Sequence, residues 1–159
     1  MTKYYEFQRD LLRSALKGAV DPKRRRFYKI DNDTIYCIPD GNYLIGVPVS
    51  LWMLDNAKIF ENWLECDALR MINEVIQLPA RDTKNVITTG SKLKLHRFVV
   101  NGQDVYVNEK ILKYFDLENS TFKGTDNTSP IYIYELGSLV GLVLPVHYVK
   151  RSKENERTE

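Results

Sequence analysis

Two stretches of this chain follow one pattern: TIYCIPDGNYLIGVPV at 34–49 and PIYIYELGSLVGLVLPV at 130–146. Each holds an Ile-Tyr strand, a turn with glycine, an apolar strand with a second glycine, and a closing Pro-Val. Short alternating runs rich in β-branched and aromatic residues, bounded by turn residues, read as strands. Gly41 and Gly137 can take the positive φ that tight turns need. Proline has no N–H to give to a ladder, so Pro48 and Pro145 mark a sheet edge or the last residues of pairing. Each hairpin follows a helix with basic residues and an extended segment. This predicts an α+β fold built from a helix-plus-three-strand unit used twice, over about 1–78 and 79–150. Its antiparallel sheets carry helices on one side, within a single domain spanning 1–150.

The remaining elements are read in the same way. Residues 3–17, KYYEFQRDLLRSALK, form an amphipathic helix with Tyr4, Leu11, Leu12, Ala15 and Leu16 near its apolar stripe, and Gly18 stops it. The spacing of Arg9, Arg13 and Lys17 puts them on another face. DPKRRR is a basic loop, and strands at 27–30, 34–38 and 43–49 follow around the turns DNDT and PDGN. Residues 51–78 read as helix, with Met53, Phe60, Trp63, Leu64, Ala68, Met71 and Ile72 as core. Residues 79–92 read as a loop or hinge with room for a short strand at Val86–Thr88. KLKLHRFVVN and VYV form a hairpin around NGQD. A helix over 108–117 is capped by Asn108. STFKG, PIYIY and SLVGLVLPV are three more strands, and the charged tail 151–159 is expected to be disordered.

A chain of 159 residues is about one domain and buries roughly 70 % of its unfolded surface, enough to fold without a metal or disulfide. The net charge of +2 does not by itself point to nucleic acid. Cys37 and Cys66 match no metal spacing and read as reduced, packed thiols. The charged start MTKYYEFQRDLL has no apolar region of a signal peptide, and no run reaches the length of a membrane span. A cytoplasmic protein without membrane contact is expected.

Two segments carry a family likeness. Tyr106-Val107-Asn108-Glu109-Lys110-Ile111-Leu112-Lys113-Tyr114-Phe115 runs from strand into helix. Gly141-Leu142-Val143-Leu144-Pro145-Val146-His147 is an apolar strand ending in Leu-Pro-Val. Together they resemble the last domain of the bacterial DNA sliding clamp, the β subunit of the replicative polymerase, over about 93–147. In that family each domain repeats a helix-plus-strands unit, the sheets lie outside, and two helices face the central DNA. The clamp carries three domains per chain and two chains per ring. This chain has room for one, so the resemblance implies a stand-alone, clamp-like module.

The resemblance implies that Arg9, Arg13 and Lys17 on the first helix, and Lys110 and Lys113 on the second, contact the phosphates of double-stranded DNA without reading sequence. It also implies that a groove beside the last strand takes short peptides of replication proteins, with Leu142, Leu144, Pro145, Val146 and His147 at its wall. His147 stands where the family has a basic residue. Alternation places Leu142, Leu144 and Val146 on one face. From the residues themselves, Lys23, Arg24, Arg25 and Arg26 form a second phosphate-binding cluster, since the planar guanidinium donates two bonds at once. Self-association is a further expectation.

Enzymatic motifs are missing: no phosphate loop, nucleophile elbow, zinc-protease helix or dinucleotide fingerprint. His96 and His147 have no Cys or Asp partner at motif spacing, and Asp31, Asp33 and Asp40 read as turn residues. The chain is therefore read as non-catalytic, with no cofactor and no metal. The competing readings are a protein of a mobile element or phage that engages a host protein, and a small enzyme with a dispersed site. Replacing Arg24, Arg25 and Arg26 with Ala is expected to leave the fold intact. If the loop holds DNA, binding weakens and its log–log salt slope flattens by roughly one unit per lost phosphate contact. A salt series on wild type and variant checks this, and identical slopes exclude the loop.

Overall fold

The structure, a computed structural model, describes residues 1–18, 33–54 and 75–148, together with the backbone of 26–30. Helix α1 spans Tyr4–Lys17. Strands β1 (Arg26–Ile30), β2 (Thr34–Ile38) and β3 (Tyr43–Pro48) follow, and then a single 3-10 turn at Val49–Leu51. Next come β4 (Leu78–Thr88), β5 (Lys94–Val100), β6 (Gln103–Asn108), the one-turn helix α2 (Glu109–Leu112), β7 (Ser120–Gly124), β8 (Ile131–Glu135) and β9 (Ser138–Val143). Among the described residues nine strands form one sheet, in the order β1-β2-β3-β9-β8-β7-β4-β5-β6, and every neighbouring pair is antiparallel.

This architecture is mainly β. It corrects the predicted α+β fold of a duplicated helix-plus-three-strand unit. Both hairpins form, β2 with β3 and β8 with β9, but they belong to one continuous sheet. The expected hairpin of β5 and β6 forms, and β4 extends it through the segment read as a loop or hinge with a short strand at Val86–Thr88, so that a third meander, β4-β5-β6, continues the sheet. The sequence hides β4 because Pro79, the polar run Arg81–Asn85 and a bulge between Asp82 and Val86 erase its alternation. The second helix is one turn and not ten residues. Of the long helix expected at 51–78, Val49–Leu51 is a 3-10 turn, 52–54 is irregular and Leu78 begins β4. Its central part, 55–74, with Cys66, lies outside the described residues, as do Lys23, Arg24, Arg25 and the tail 151–159. Arg26 opens β1 opposite Ile38 and is not in a loop. No helix among the described residues is long and apolar enough to cross a membrane.

The proline reading is refined. Pro48 is the last residue of β3, and Pro145 comes after the end of β9. Yet β9 lies at the centre of the sheet, so Pro145 ends pairing without marking an edge; the edges are β1 and β6.

One face of the sheet carries the main core. Ile35, Cys37, Tyr43, Ile45 and Val47 meet Phe98, Val100, Val105 and Val107 with Ile131, Ile133 and Val143. Phe7 and Leu11 of α1 and Ile111, Leu112 and Phe115 in and after α2 complete it. The buried stripe of α1 is Phe7, Gln8 and Leu11, flanked by Tyr4, Leu12 and Ala15. Leu16, placed on the stripe by sequence, is 72 % exposed, because 3.6-residue geometry from Phe7 and Leu11 leads to Ala15. Gly18 ends α1 in the left-handed conformation, as expected. Burial pushes the Cys37 thiol well up.

Gln8 is fully buried and holds the chain leaving β3. Its Nε2 donates to the Leu51 carbonyl at 2.9 Å, and its Oε1 accepts from the Met53 N–H at 2.7 Å. The amide thus substitutes for a neighbouring strand and satisfies backbone groups that burial would otherwise penalise.

The sheet is joined at its centre by Tyr43↔Val143, Leu44↔Leu142 and Ile45↔Gly141. A Cβ at Gly141 would lie 2.5 Å from the Leu44 carbonyl oxygen and 2.7 Å from the Phe115 ring. The missing side chain is the hole into which Phe115 fits. Gly141→Ala is expected to destabilise the fold by about 1–3 kcal/mol through overpacking against backbone. Chemical denaturation checks this; an unchanged midpoint would mean that the seam opens freely.

Candidate functional site

A cleft of about 360 Å³ opens where three separate parts of the chain converge. The β2–β3 turn supplies Asp40, Asn42 and Tyr43. The α2 region supplies Asn108, Lys110, Ile111, Lys113 and Tyr114, and the segment after β9 supplies Leu144, Pro145 and Val146. Asn108 caps α2 as expected, its Oδ1 accepting from the Lys110 N–H at 3.1 Å. That cap sets the direction in which Lys110 and Lys113 leave the helix. Beyond β9, the Leu144 N–H donates to the Asn42 carbonyl at 2.9 Å and the Val146 N–H to the Tyr106 carbonyl at 2.7 Å. The third wall therefore crosses from the central strand β9 to the edge strand β6.

Aromatic rings form the inner part of the cleft. Tyr43 and Tyr114 are stacked, with centroids 6.4 Å apart, and Phe7 meets both edge-on. The Tyr114 hydroxyl donates to Asp10 Oδ2 at 2.8 Å. Lys113 Nζ lies 3.5 Å from the same oxygen, and Arg9 Nε lies 3.3 Å from Asp10 Oδ1. Burial pushes the Asp10 carboxyl up, but the hydrogen bond from Tyr114 and the charges of Lys113 and Arg9 outweigh it and hold the group below its ordinary 3.8. Burial raises both tyrosine hydroxyls. For Tyr43 the neighbouring Tyr114 adds to this, and for Tyr114 the bond to Asp10 does.

The structure brings Leu144, Pro145, Val146, Lys110 and Lys113 into this one cleft, although sequence reading assigned them to two different surfaces. It separates Leu142, which lies on the opposite face of the sheet with Tyr36 and Leu44, and His147, which is exposed and outside the lining. The expected common face for Leu142, Leu144 and Val146 fails because β9 ends at Val143, and strand alternation ends with it. Arg9, Arg13 and Lys17 are exposed on α1, with Arg9 engaged by Asp10.

Sequence reading missed Asp10, Asn42, Tyr43 and Tyr114, whose roles depend on contacts distant in sequence. It also missed the partner of His96. The buried His96 Nε2 lies 2.5 Å from Asp82 Oδ1 at the β4 bulge, away from the cleft lining. Among the described residues no group of three or more His, Cys, Asp or Glu side chains is placed to hold a metal. A scan of protein-family models, a search of curated proteins and a search of solved structures each returned no match.

The lowered Asp10 carboxyl makes the α1–α2 tie pH-dependent. A group whose folded pKa is depressed stabilises the fold above its unfolded pKa, and that contribution is lost as pH falls through the folded value. Asp10→Asn is expected to cost about 1 kcal/mol near pH 7, the scale of a partly exposed hydrogen bond to a charged group. The gap between wild type and variant closes as the pH drops below 3.8, which melting curves at a series of pH values would register.

Proposed function

We propose that this protein is a non-catalytic binding module whose cleft receives a short apolar segment of a protein partner flanked by carboxylates. The observation that carries the reading is the composition of that one cleft. Ile111, Leu144, Pro145 and Val146 offer apolar surface beside stacked Tyr43 and Tyr114, and Lys110 and Lys113 stand at the same opening. Apolar contact supplies affinity, and the ammonium groups select acidic neighbours. Leu144 is 40 % exposed, a large apolar side chain left open to solvent at a concave site. Both tyrosine hydroxyls are driven further from ionisation, which favours binding over acid–base chemistry here. Replication proteins, or a host protein engaged by a mobile element or phage, are partner classes for a cytoplasmic protein of this kind.

Contact with double-stranded DNA is the second reading, favoured by the exposed stripe of Arg9, Arg13 and Lys17 on α1. Asp10 offsets it by engaging Arg9 and Lys113, which leaves Arg13 and Lys17 as the stronger phosphate contacts.

A labelled peptide with leucine between glutamates, titrated by fluorescence anisotropy, tests the cleft. Leu144→Asp and Val146→Asp are expected to weaken binding at least ~10-fold, the scale of losing one buried anchor. Leu144→Asp should shift melting little, because surface changes stay near ±0.5 kcal/mol. Pro145→Ala should weaken binding less than either. Absent binding by wild type, or equal binding by all of these proteins, removes the reading. A parallel salt series with duplex DNA, on wild type and Arg13→Ala/Lys17→Ala, decides the second.

A further inference from the structure

A second cavity, of about 480 Å³, shares Lys110 with the cleft. Three parts of the chain meet there. The β4–β5 turn brings Ser91, Lys92 and Leu93, β5 begins with Lys94, and α2 adds Glu109 and Lys110. The pairing of Leu95 with Asn108 sets the start of α2 beside the start of β5, so lysines distant in sequence line one space. Its charge is one-sided. Three ammonium groups line it with a single carboxylate, and among the described residues none of the four has an ion pair. By contrast, Lys113 is engaged by Asp10 and Arg97 by Asp104.

Lys92 is also costly where it stands. Its φ of 65° is left-handed, a conformation that favours Gly or Asn. The turn holds it there. The Lys92 N–H donates to the Thr89 carbonyl at 2.9 Å, and the Thr89 N–H donates to the Leu93 carbonyl at 2.9 Å. Thr89 Oγ1 accepts from the Leu93 N–H at 3.2 Å. The lysine is exposed, so neither burial nor backbone preference accounts for it at this position.

We propose that this cavity binds the phosphoryl group of a phosphorylated serine or threonine in the partner segment whose apolar side chain fills the cleft. The inference rests on the reading of the cleft as a receptor for an apolar segment with acidic flanks, and it names the principal flanking group. A carboxylate brings one negative charge, which Lys110 alone balances. A phosphoryl group brings about two, with three acceptor oxygens, and three ammonium groups less Glu109 match it. Lysine suits the task as a point charge with three rotatable donors. The arrangement favours a phosphopeptide over nucleic acid. A nucleic-acid backbone repeats its phosphates and is held by a groove of cations that tracks it. Here the lysines gather at one cavity, and the adjoining cleft offers Ile111, Leu144 and Val146. A single dianion beside an apolar side chain fits both. Because Lys110 lines both spaces, modification of the partner sets the affinity of the cleft.

Anisotropy titrations of labelled peptides on the full chain test the proposal. The peptides share one leucine and carry serine, glutamate or phosphoserine at each nearby position in turn. Wild type is expected to bind its best phosphoserine peptide at least ~10-fold tighter than the serine counterpart, the scale of one or two charge-assisted hydrogen bonds, and tighter than the glutamate one. Lys92→Asn relieves the turn, so it should melt no lower than wild type. It should keep the affinity for the serine peptide and lose most of the phosphoserine gain. Lys94→Ala is expected to do the same, and Leu144→Asp to weaken both peptides by a similar factor. Equal binding of the phosphoserine and serine peptides by wild type, or a gain that survives both lysine variants, overturns the phosphate site and leaves the cleft reading standing. A gain that needs the lysines but is indifferent to Leu144→Asp leaves an isolated anion site and overturns the cleft reading with the coupling. A single-stranded oligonucleotide that displaces the phosphopeptide at equal phosphate concentration assigns the cavity to nucleic acid and overturns the peptide. With no binding of any peptide, both readings fall.

Discussion

The fit of Phe115 onto Gly141 decides where the rest of this fold can go. Only three residue pairs join β3 to β9, and through them the two outer parts of the sheet become one. A side chain at position 141 would meet both the Leu44 carbonyl and the Phe115 ring, so the seam closes only around glycine. Once Phe115 is seated, the preceding residue is fixed as well. Tyr114 is carried against Tyr43 and Phe7, and its hydroxyl reaches Asp10 on α1. The Lys3 N–H donates to the Tyr114 carbonyl at 2.7 Å, which ties the entry of α1 to the same point. Gln8 then fixes the helix from its other side by bonding to Leu51 and Met53. Two aromatic residues and one buried amide thus position α1 and α2 on the sheet, and the cleft is what lies between them.

Asp10 is the electrostatic centre of that arrangement. One carboxylate faces Tyr114, Lys113 and Arg9. In a partly exposed site each ion pair contributes little alone, and their value lies in fixing directions. Lys113 is held toward α1 and over the Tyr114 ring at 5.0 Å, whereas Lys110 has no such tether among the described contacts. The two lysines of the cleft are therefore unequal: Lys113 is part of the frame, and on the proposed reading Lys110 is the one that would meet a partner's carboxylate. The same carboxylate thins the positive field along α1, which is why the cationic stripe carries less weight than its sequence spacing suggests.

What the sequence made legible followed local rules. The doubled hairpins, the Asn108 cap, the Gly18 stop and the Asn-Gly turn depend on residues close in sequence, and all are found. The strand β4 did not read, because a bulge and a polar run remove the alternation that identifies strands. The organisation of the sheet did not read either. Two similar hairpins suggest duplication, but no local signal states that β9 pairs with β3 or that a third meander continues the sheet. The cleft was half legible. Leu144, Pro145 and Val146 were identified by their motif and Lys110 and Lys113 by their charge, yet Tyr43 and Asn42 are brought there only by the seam. Leu142 was misassigned for a definite reason: an alternation rule was carried past the end of its strand at Val143, to Leu144 and Val146.

The walls of the cleft differ in how firmly they are held, and the difference bears on what it can accept. Tyr43 belongs to a strand paired on both sides, and Tyr114 is fixed by ring contacts and by Asp10. The wall at 144–148 has no strand ladder. Its described anchors are the bonds from Leu144 to Asn42 and from Val146 to Tyr106, and the contact of Tyr148 with the Tyr106 ring at 4.9 Å. A segment held by so few backbone bonds opens at lower free energy than the sheet it leaves. Pro145 lies between the two anchored N–H groups and has none of its own to tie down. The rigid walls therefore set where an apolar side chain enters, and the proline-centred wall adjusts to its shape. On the proposed reading, a cleft with one yielding side would accommodate related segments at a modest cost in affinity.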